Sequence, residues 1–542
     1  MRPRTGIAVF VTVVGVAGAL AAAAGPGAQA STAGHPADQG ARLIPGDLLV
    51  STSTYTNDPS IVAGKTVLPP GSGSAGAVAI ANGNYPYVFN NVTVDASFGV
   101  TSRLYLNQIT PTGFPQGVIP VPSNELNTSF SSKSEGALNL SSDGKYVSFI
   151  DYVAAPDTVD ASNANTPGVI DPTNPVTGAD YRAVASLSAN RQWDFTETNA
   201  YSGNNGRAAV MAKVNGKYYA YTAGNAGNGA NPQPDGVVLG AGTQIVTPSS
   251  LPESAQNPGA PTPVGSFSVA ELGNKADKVG KDDNFRGLTL YNNVLYYTKG
   301  SGSNGVNTVY FLDTTGKACP SGVGVPAAKA PLPTASIAST LTSAGLASNM
   351  CVLAGFPTGL AKSATDTSDY PFGIWFANPT TLYVADEGAG DAAYANGSYT
   401  AAAASTTAGL QKWVYNSTAG EWQLAYTLQN GLKLGTPYTV KGYPTGTNSV
   451  TNLPWAPATD GLRNITGKVN PNGTVTIWAV TSTVSGGGDQ GADPNQLVEI
   501  TDSLKATTAP AQERFRAVVP ALYDQVVRGV SFTPGTGVFN GR

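Results

Sequence analysis

Four arginines, a glutamate and a phenylalanine stand at the head of six similar segments: Arg207, Arg286, Arg463, Arg528, Glu135 and Phe372. Only 12% of the 542 residues are charged, so four guanidinium groups in equivalent places are a marked concentration of positive charge. A planar guanidinium fork suits a carboxylate, sulfate or phosphate. Glu135 is the carboxylate best placed for acid–base work, and Tyr370 and Tyr181 are candidate phenolic partners. With an Arg neutralising a uronate and a carboxylate or phenol moving the proton, a lyase or glycoside hydrolase of acidic sugar polymers can be assembled. The competing reading is structural. Asp283, Asp460 and Asp524 lie just upstream of Arg286, Arg463 and Arg528, where in-register Asp–Arg pairs would tie neighbouring repeats together. Asp369 precedes Phe372 without an Arg to match.

Other chemistry is largely excluded. The single histidine, His35, sits in a Gly- and Ala-rich stretch near the N-terminus, which removes a Ser-His-Asp triad, a His-ligated zinc and c-type haem attachment. Ser142 to Lys145 matches Ser-x-x-Lys but coincides with a turn at Asp143-Gly144. Neither a phosphate-cradling Gly-rich loop nor a Gly-x-Ser-x-Gly elbow is present. Two oxygen-rich runs could hold Ca2+ through Asp386, Asp391, Asp489 and Asp493, although neither has full calcium-loop spacing and turn residues give the same composition. No other cofactor is expected. A net charge of −4 disfavours nucleic acid or an anionic membrane surface as partner.

The elements that position these residues follow from the repeats. Each segment opens a short strand, turns at Asp143-Gly144, Asn215-Gly216, Asn292-Asn293, Asn378-Pro379 or Asn472-Gly473, and returns in a strand rich in Tyr and Val. Asn-Gly and Asp-Gly supply the positive φ of primed hairpin turns. Openings lie 72, 79, 86, 91 and 65 residues apart, room for about four strands each. Six such units make an all-β, six-bladed β-propeller. The last opening, at Arg528, is too near the C-terminus to complete a blade, so strands near 47–56, 103–110 and 117–121 are expected to complete it and close the ring. A seventh blade would have to lie in 61–90 or 327–348, the latter alternatively a helix. Strand direction puts the openings and the long loops 153–180, 223–235, 301–305, 387–407 and 482–494 at one end, with the tight hairpins at the other. Binding residues concentrate on long loops held by rigid scaffolds, so the site is expected at the loop-rich channel mouth.

With this repeat pattern, the leading Pro45-Gly46-Asp47 and the later run Gly409-Leu410-Gln411-Lys412-Trp413, the chain resembles the superfamily of secreted bacterial β-propellers. The resemblance implies the architecture and carries no catalytic residue across. The chain departs from the WD and kelch repeat signatures.

The N-terminus gives an address. Arg2 and Arg4 precede an apolar run, 6–24, and Ala28-Gln29-Ala30 offers a signal peptidase its small residues, so cleavage after Ala30 and secretion are expected. A flexible lead, 31–46, then precedes a single propeller domain, 47–542. In an oxidising compartment Cys319 and Cys351, the only cysteines, are expected to pair. No later segment is long and apolar enough for membrane insertion, and the closed ring reads as a monomer. These features point to an extracellular binder of a polar or anionic carbohydrate or surface ligand. The alternatives are the lyase or hydrolase above and a structural component of a surface layer or extracellular matrix.

Overall fold

Short strands buried on both faces form the hub of the molecule. Gly206–Val214, for example, packs Ala208, Ala209, Val210, Met211 and Ala212 out of solvent, as small and branched residues must where sheets converge. Farther out, Glu421–Leu428 alternates and turns Trp422, Tyr426 and Leu428 inward. The computed structural model describes residues 42–55, 62, 65–67, 78, 100–130, 132–172, 174, 176, 178–226, 242–254, 284–301, 305–327, 330–334, 350–361, 369–449, 451–487 and 490–537. All fall in the compact unit Asp38–Arg542. The expected signal peptide, His35, Asp283 and Asp489 lie outside the described residues.

Six antiparallel sheets form a six-bladed β-propeller. Blade 1 pairs the C-terminal inner strand Gln525–Phe532 with Leu48–Thr54, followed by Thr101–Ile109 and Pro115–Pro120. The ring is therefore closed by both ends of the domain, as its strand count requires. Blade 2 comprises Asn139–Leu140, Tyr146–Tyr152, Arg182–Ser188 and Trp193–Thr198. Blade 3 has three described strands, Gly206–Val214, Lys217–Gly224 and Gly242–Val246. Blade 4 runs from Leu288–Tyr291 through Val294–Lys299 and Thr308–Leu312 to Met350–Leu353, with Val323–Gly324 added in parallel. Blade 5 holds Pro371–Asn378, Thr381–Asp386, Gly409–Asn416 and Glu421–Leu428; blade 6 holds Ala458–Val469, Thr474–Val484, Leu497–Ser503 and Arg516–Val519. Each inner strand touches the next around the ring, blade 6 meeting blade 1.

Two local expectations need correction. Asn215-Gly216 and Asn292-Asn293 place both residues at positive φ, as a primed turn demands, but in Asp143-Gly144 and Asn472-Gly473 only the glycine does. There the glycine N–H closes back on Ser141 and Asn470, so it ends a longer turn rather than forming a two-residue one. The first inner strand covers only Asn139–Leu140, because Gly136 at φ 73° turns the chain after Glu135.

Blades are locked by side chains crossing between them. The Val530 N–H donates to Asn464 Oδ1 at 2.7 Å, the Thr298 hydroxyl to the Phe372 carbonyl at 2.6 Å, and Tyr291 stacks on Phe376 at 4.5 Å. Between blades 5 and 6 a fully buried Lys412 ammonium meets Asp502 at 3.1 Å and donates to the Ser503, Leu504 and Ala506 carbonyls. Tyr383 and Tyr426 donate to the same Asp502. Cys319 and Cys351 are joined in a disulfide across blade 4. Asp313 lies beside them, the only group of three metal-ligand types among the described residues, but the sulfurs are committed to each other.

Candidate anion-binding site at the channel mouth

Five of the six opening residues, all but Arg463, have a glycine beside them, which lets inner strands meet backbone to backbone. A Cβ on Gly287 would overlap the Phe372 carbonyl oxygen, and one on Gly373 the Arg463 carbonyl oxygen. Only hydrogen fits there. The side chains just before these glycines are therefore held around a narrow ring at the loop-rich end.

Glu135 is buried at the head of blade 2. Its Oε1 accepts from the Tyr152 hydroxyl and the Asn205 amide, and its Oε2 from the Ser132 hydroxyl and the Ser134 N–H. None of these donors is a cation. Arg182 lies over the Tyr152 ring at 5.1 Å. Burial, and next the Glu135 charge, hold the Tyr152 phenol well above its ordinary pKa. Asp151 is buried beside Thr128, and burial followed by Glu135 pushes it well above the carboxylate range.

The four arginines divide into two kinds. Arg463 forms a buried ion pair with Glu387 at 3.1 Å, and Arg528 is enclosed by the Ser129, Phe130 and Ser132 carbonyls and the Ser53 hydroxyl. Both are structural clamps. Neither forms an ion pair with the acid upstream: Asp460 instead accepts the Gly390 N–H at 2.7 Å, and Asp524 occupies a turn at φ 59°. The in-register pairs expected at Arg463 and Arg528 are thus replaced by contacts from other loops, Glu387 meeting Arg463 and the 129–132 carbonyls meeting Arg528.

Arg207 and Arg286 differ. Arg207 donates to Asn284 Oδ1, to the Phe285 carbonyl at 3.2 Å and to Asn204 Oδ1 at 3.3 Å. Arg286 donates to the Ser134 and Ser301 hydroxyls. Every one of these partners is neutral, the Nε of each is buried and unbonded, and among the described residues neither has a carboxylate within ion-pair distance. Burial, followed by the neighbouring Arg286 guanidinium, pulls Arg207 down to about 9. The two guanidinium groups are neighbours, and Glu387 and Glu135 lie near enough to favour their charge without ion-pairing to them among the described residues; guanidinium forks of this kind suit an anion.

Sequence reasoning named the openings but passed over Tyr152, Asn205, Glu387 and Lys133. The signal was available: the end of a second strand lies beside the start of its inner strand, which puts Tyr152 next to Glu135 and Glu387 next to Pro371–Asn378. Tyr370 lies in blade 5, where its N–H donates to Asp386 and its carbonyl accepts from Glu387; Tyr181 bonds Val153 through its carbonyl. Phe372 is buried. Among the described residues Asp386, Asp391 and Asp493 form no group of three metal-ligand side chains. Asp386 accepts the Tyr370 and Gly388 N–H groups, Asp391 the Ala393 N–H, and Asp493 the Tyr443 hydroxyl at 2.7 Å. Burial raises Asp386 to about 8 and Asp493 to about 7.

A cavity of about 630 Å³ occupies the opposite, hairpin end of the channel, lined by Leu138, Leu290, Ile374, Trp375, Ile465 and Phe532 among others. It has no charged lining residue.

No family model and no curated protein matches the sequence. Solved structures that align with it include an ulvan lyase, a polysaccharide lyase, at 11% identity over 81% of this chain and 92% of that one, with a TM-score of 0.28. A NanB sialidase variant from Streptococcus pneumoniae aligns at 8% identity over 86% and 68%, TM-score 0.30. A glycoside hydrolase family 43 arabinoxylan arabinofuranohydrolase from Bacillus subtilis aligns at 11% over 82% and 98%, TM-score 0.24. Likenesses this loose carry no argument about what this chain does.

Proposed function

We propose that this is an exported propeller that binds an anionic carbohydrate at the loop-rich mouth of its channel through Arg207 and Arg286. The observation that carries the reading is the pair of neighbouring guanidinium groups whose hydrogen-bond partners among the described residues are all neutral oxygens. Two buried like charges side by side are costly to hold, Glu387 and Glu135 offset part of that cost from beyond ion-pair distance, and a carboxylate or sulfate relieves more of it on binding. Outside the cell, acidic polysaccharides present such groups on long chains.

Affinity electrophoresis against polyuronate, sulfated and neutral polysaccharides tests it. Acidic polymers retard the protein, added salt weakens the effect, and R207Q/R286Q lowers affinity at least about tenfold with its melting temperature little changed. Equal retention by neutral polymers, or undiminished binding by the double variant, rejects the reading.

A further inference from the structure

Resting on that reading, the geometry points to a catalytic role: we propose that Lys133 is the proton-abstracting base of a β-elimination on a uronate held by Arg207 and Arg286. The substrate class is then a uronate-containing polysaccharide.

Lys133 sits in a tripeptide whose other two members are bonded into the site. The Ser132 hydroxyl and Ser134 N–H donate to Glu135, the Ser132 carbonyl accepts from Arg528, and the Ser134 hydroxyl accepts from Arg286. The backbone is pinned on both sides of Lys133, while its side chain is exposed at the mouth. Its Nζ reaches toward blade 6, where the one hydrogen-bond partner is Gln490 Oε1 at 3.5 Å, and no carboxylate lies within ion-pair distance among the described residues. Such an amine is positioned yet uncommitted. The charged groups facing it are Arg463 and Arg286, which disfavour the ammonium, and Glu387, Asp460 and Asp493, which favour it; surrounding protein, then Arg463, leaves the pKa lowered.

The elimination needs nothing from outside the site. The guanidinium pair neutralises the uronate carboxylate and stabilises the charge that develops there when C5 loses its proton. The Lys133 Nζ lone pair takes that proton, the C5–H electrons form the C4–C5 double bond, and the C4–O bond breaks with its pair on the departing glycosidic oxygen. The ammonium returns the proton to that oxygen. Products are a new chain end and an unsaturated uronate that absorbs in the ultraviolet.

The test follows ultraviolet absorbance on polyuronates with the full mature chain, and measures binding separately by affinity electrophoresis. Wild type generates the unsaturated product, with a rate that rises with pH to a plateau below the pKa of a free lysine. K133M loses at least about 100-fold in kcat while keeping polyuronate affinity within about twofold. Binding without product overturns the lyase assignment and leaves the anion site standing. Product formed at equal rates by K133M and wild type overturns the role of Lys133. Absence of both binding and product overturns this proposal together with the anion-site reading.

Discussion

Asp524 shows how position in the structure sets the chemistry of one residue. It sits at the turn before Gln525–Phe532 with φ 59° and one buried, unbonded oxygen, and burial raises its pKa from 3.8 to about 7. The folded state thus holds a proton that the unfolded chain gives up earlier. The group's contribution to stability is complete below about pH 4 and is lost as pH rises to about 7. Asn cannot ionise and tolerates positive φ. D524N should therefore melt like wild type at pH 4 and about 1–2 °C higher at pH 8, a small gain because the residue is half-exposed; thermal melts across pH check it. Residue-scale reading from sequence located Glu135 and the arginines, since their place at each strand head repeats. It could not separate Arg207 and Arg286 from Arg463 and Arg528, because the neutralising groups come from other blades: Glu387 reaches Arg463, and the carbonyls of 129–132 reach Arg528.

At the scale of strands, glycines beside the opening residues, as at Gly287 and Gly373, decide how closely blades approach. G287A would drive a methyl group into the Phe372 carbonyl, with both strands fixed by their ladders. The expected cost is about 1–3 kcal/mol or more, measurable by denaturant titration; a cost near zero would mean the inner strands can part. Strand existence was legible from alternation and turn residues: the strands expected near 47–56 and 103–110 are Leu48–Thr54 and Thr101–Ile109. The first inner strand was not, because Glu135-Gly136-Ala137 alternates like a strand while Glu135 is drawn aside by four donors.

The whole molecule is a ring closed by Leu48–Thr54 against Gln525–Phe532. Removing residues 525–542 should leave a chain that melts at least about 10 °C lower or aggregates, since the edge of Leu48–Thr54 is bared and blades 6 and 2 lose the strand packed between them; a truncated chain melting like the full one would contradict closure. This architecture was readable because the arithmetic of openings left the last blade with an inner strand at Arg528 and no room for its outer strands before the C-terminus. Function was less so, because it depends on which charges remain uncompensated after folding. The most direct measurement is a crystal structure of the protein soaked with a uronate oligosaccharide. The carboxylate should lie against Arg207 and Arg286 at the loop-rich mouth, with Lys133 facing the sugar ring; an oligosaccharide found instead in the uncharged cavity at the hairpin end would contradict the account.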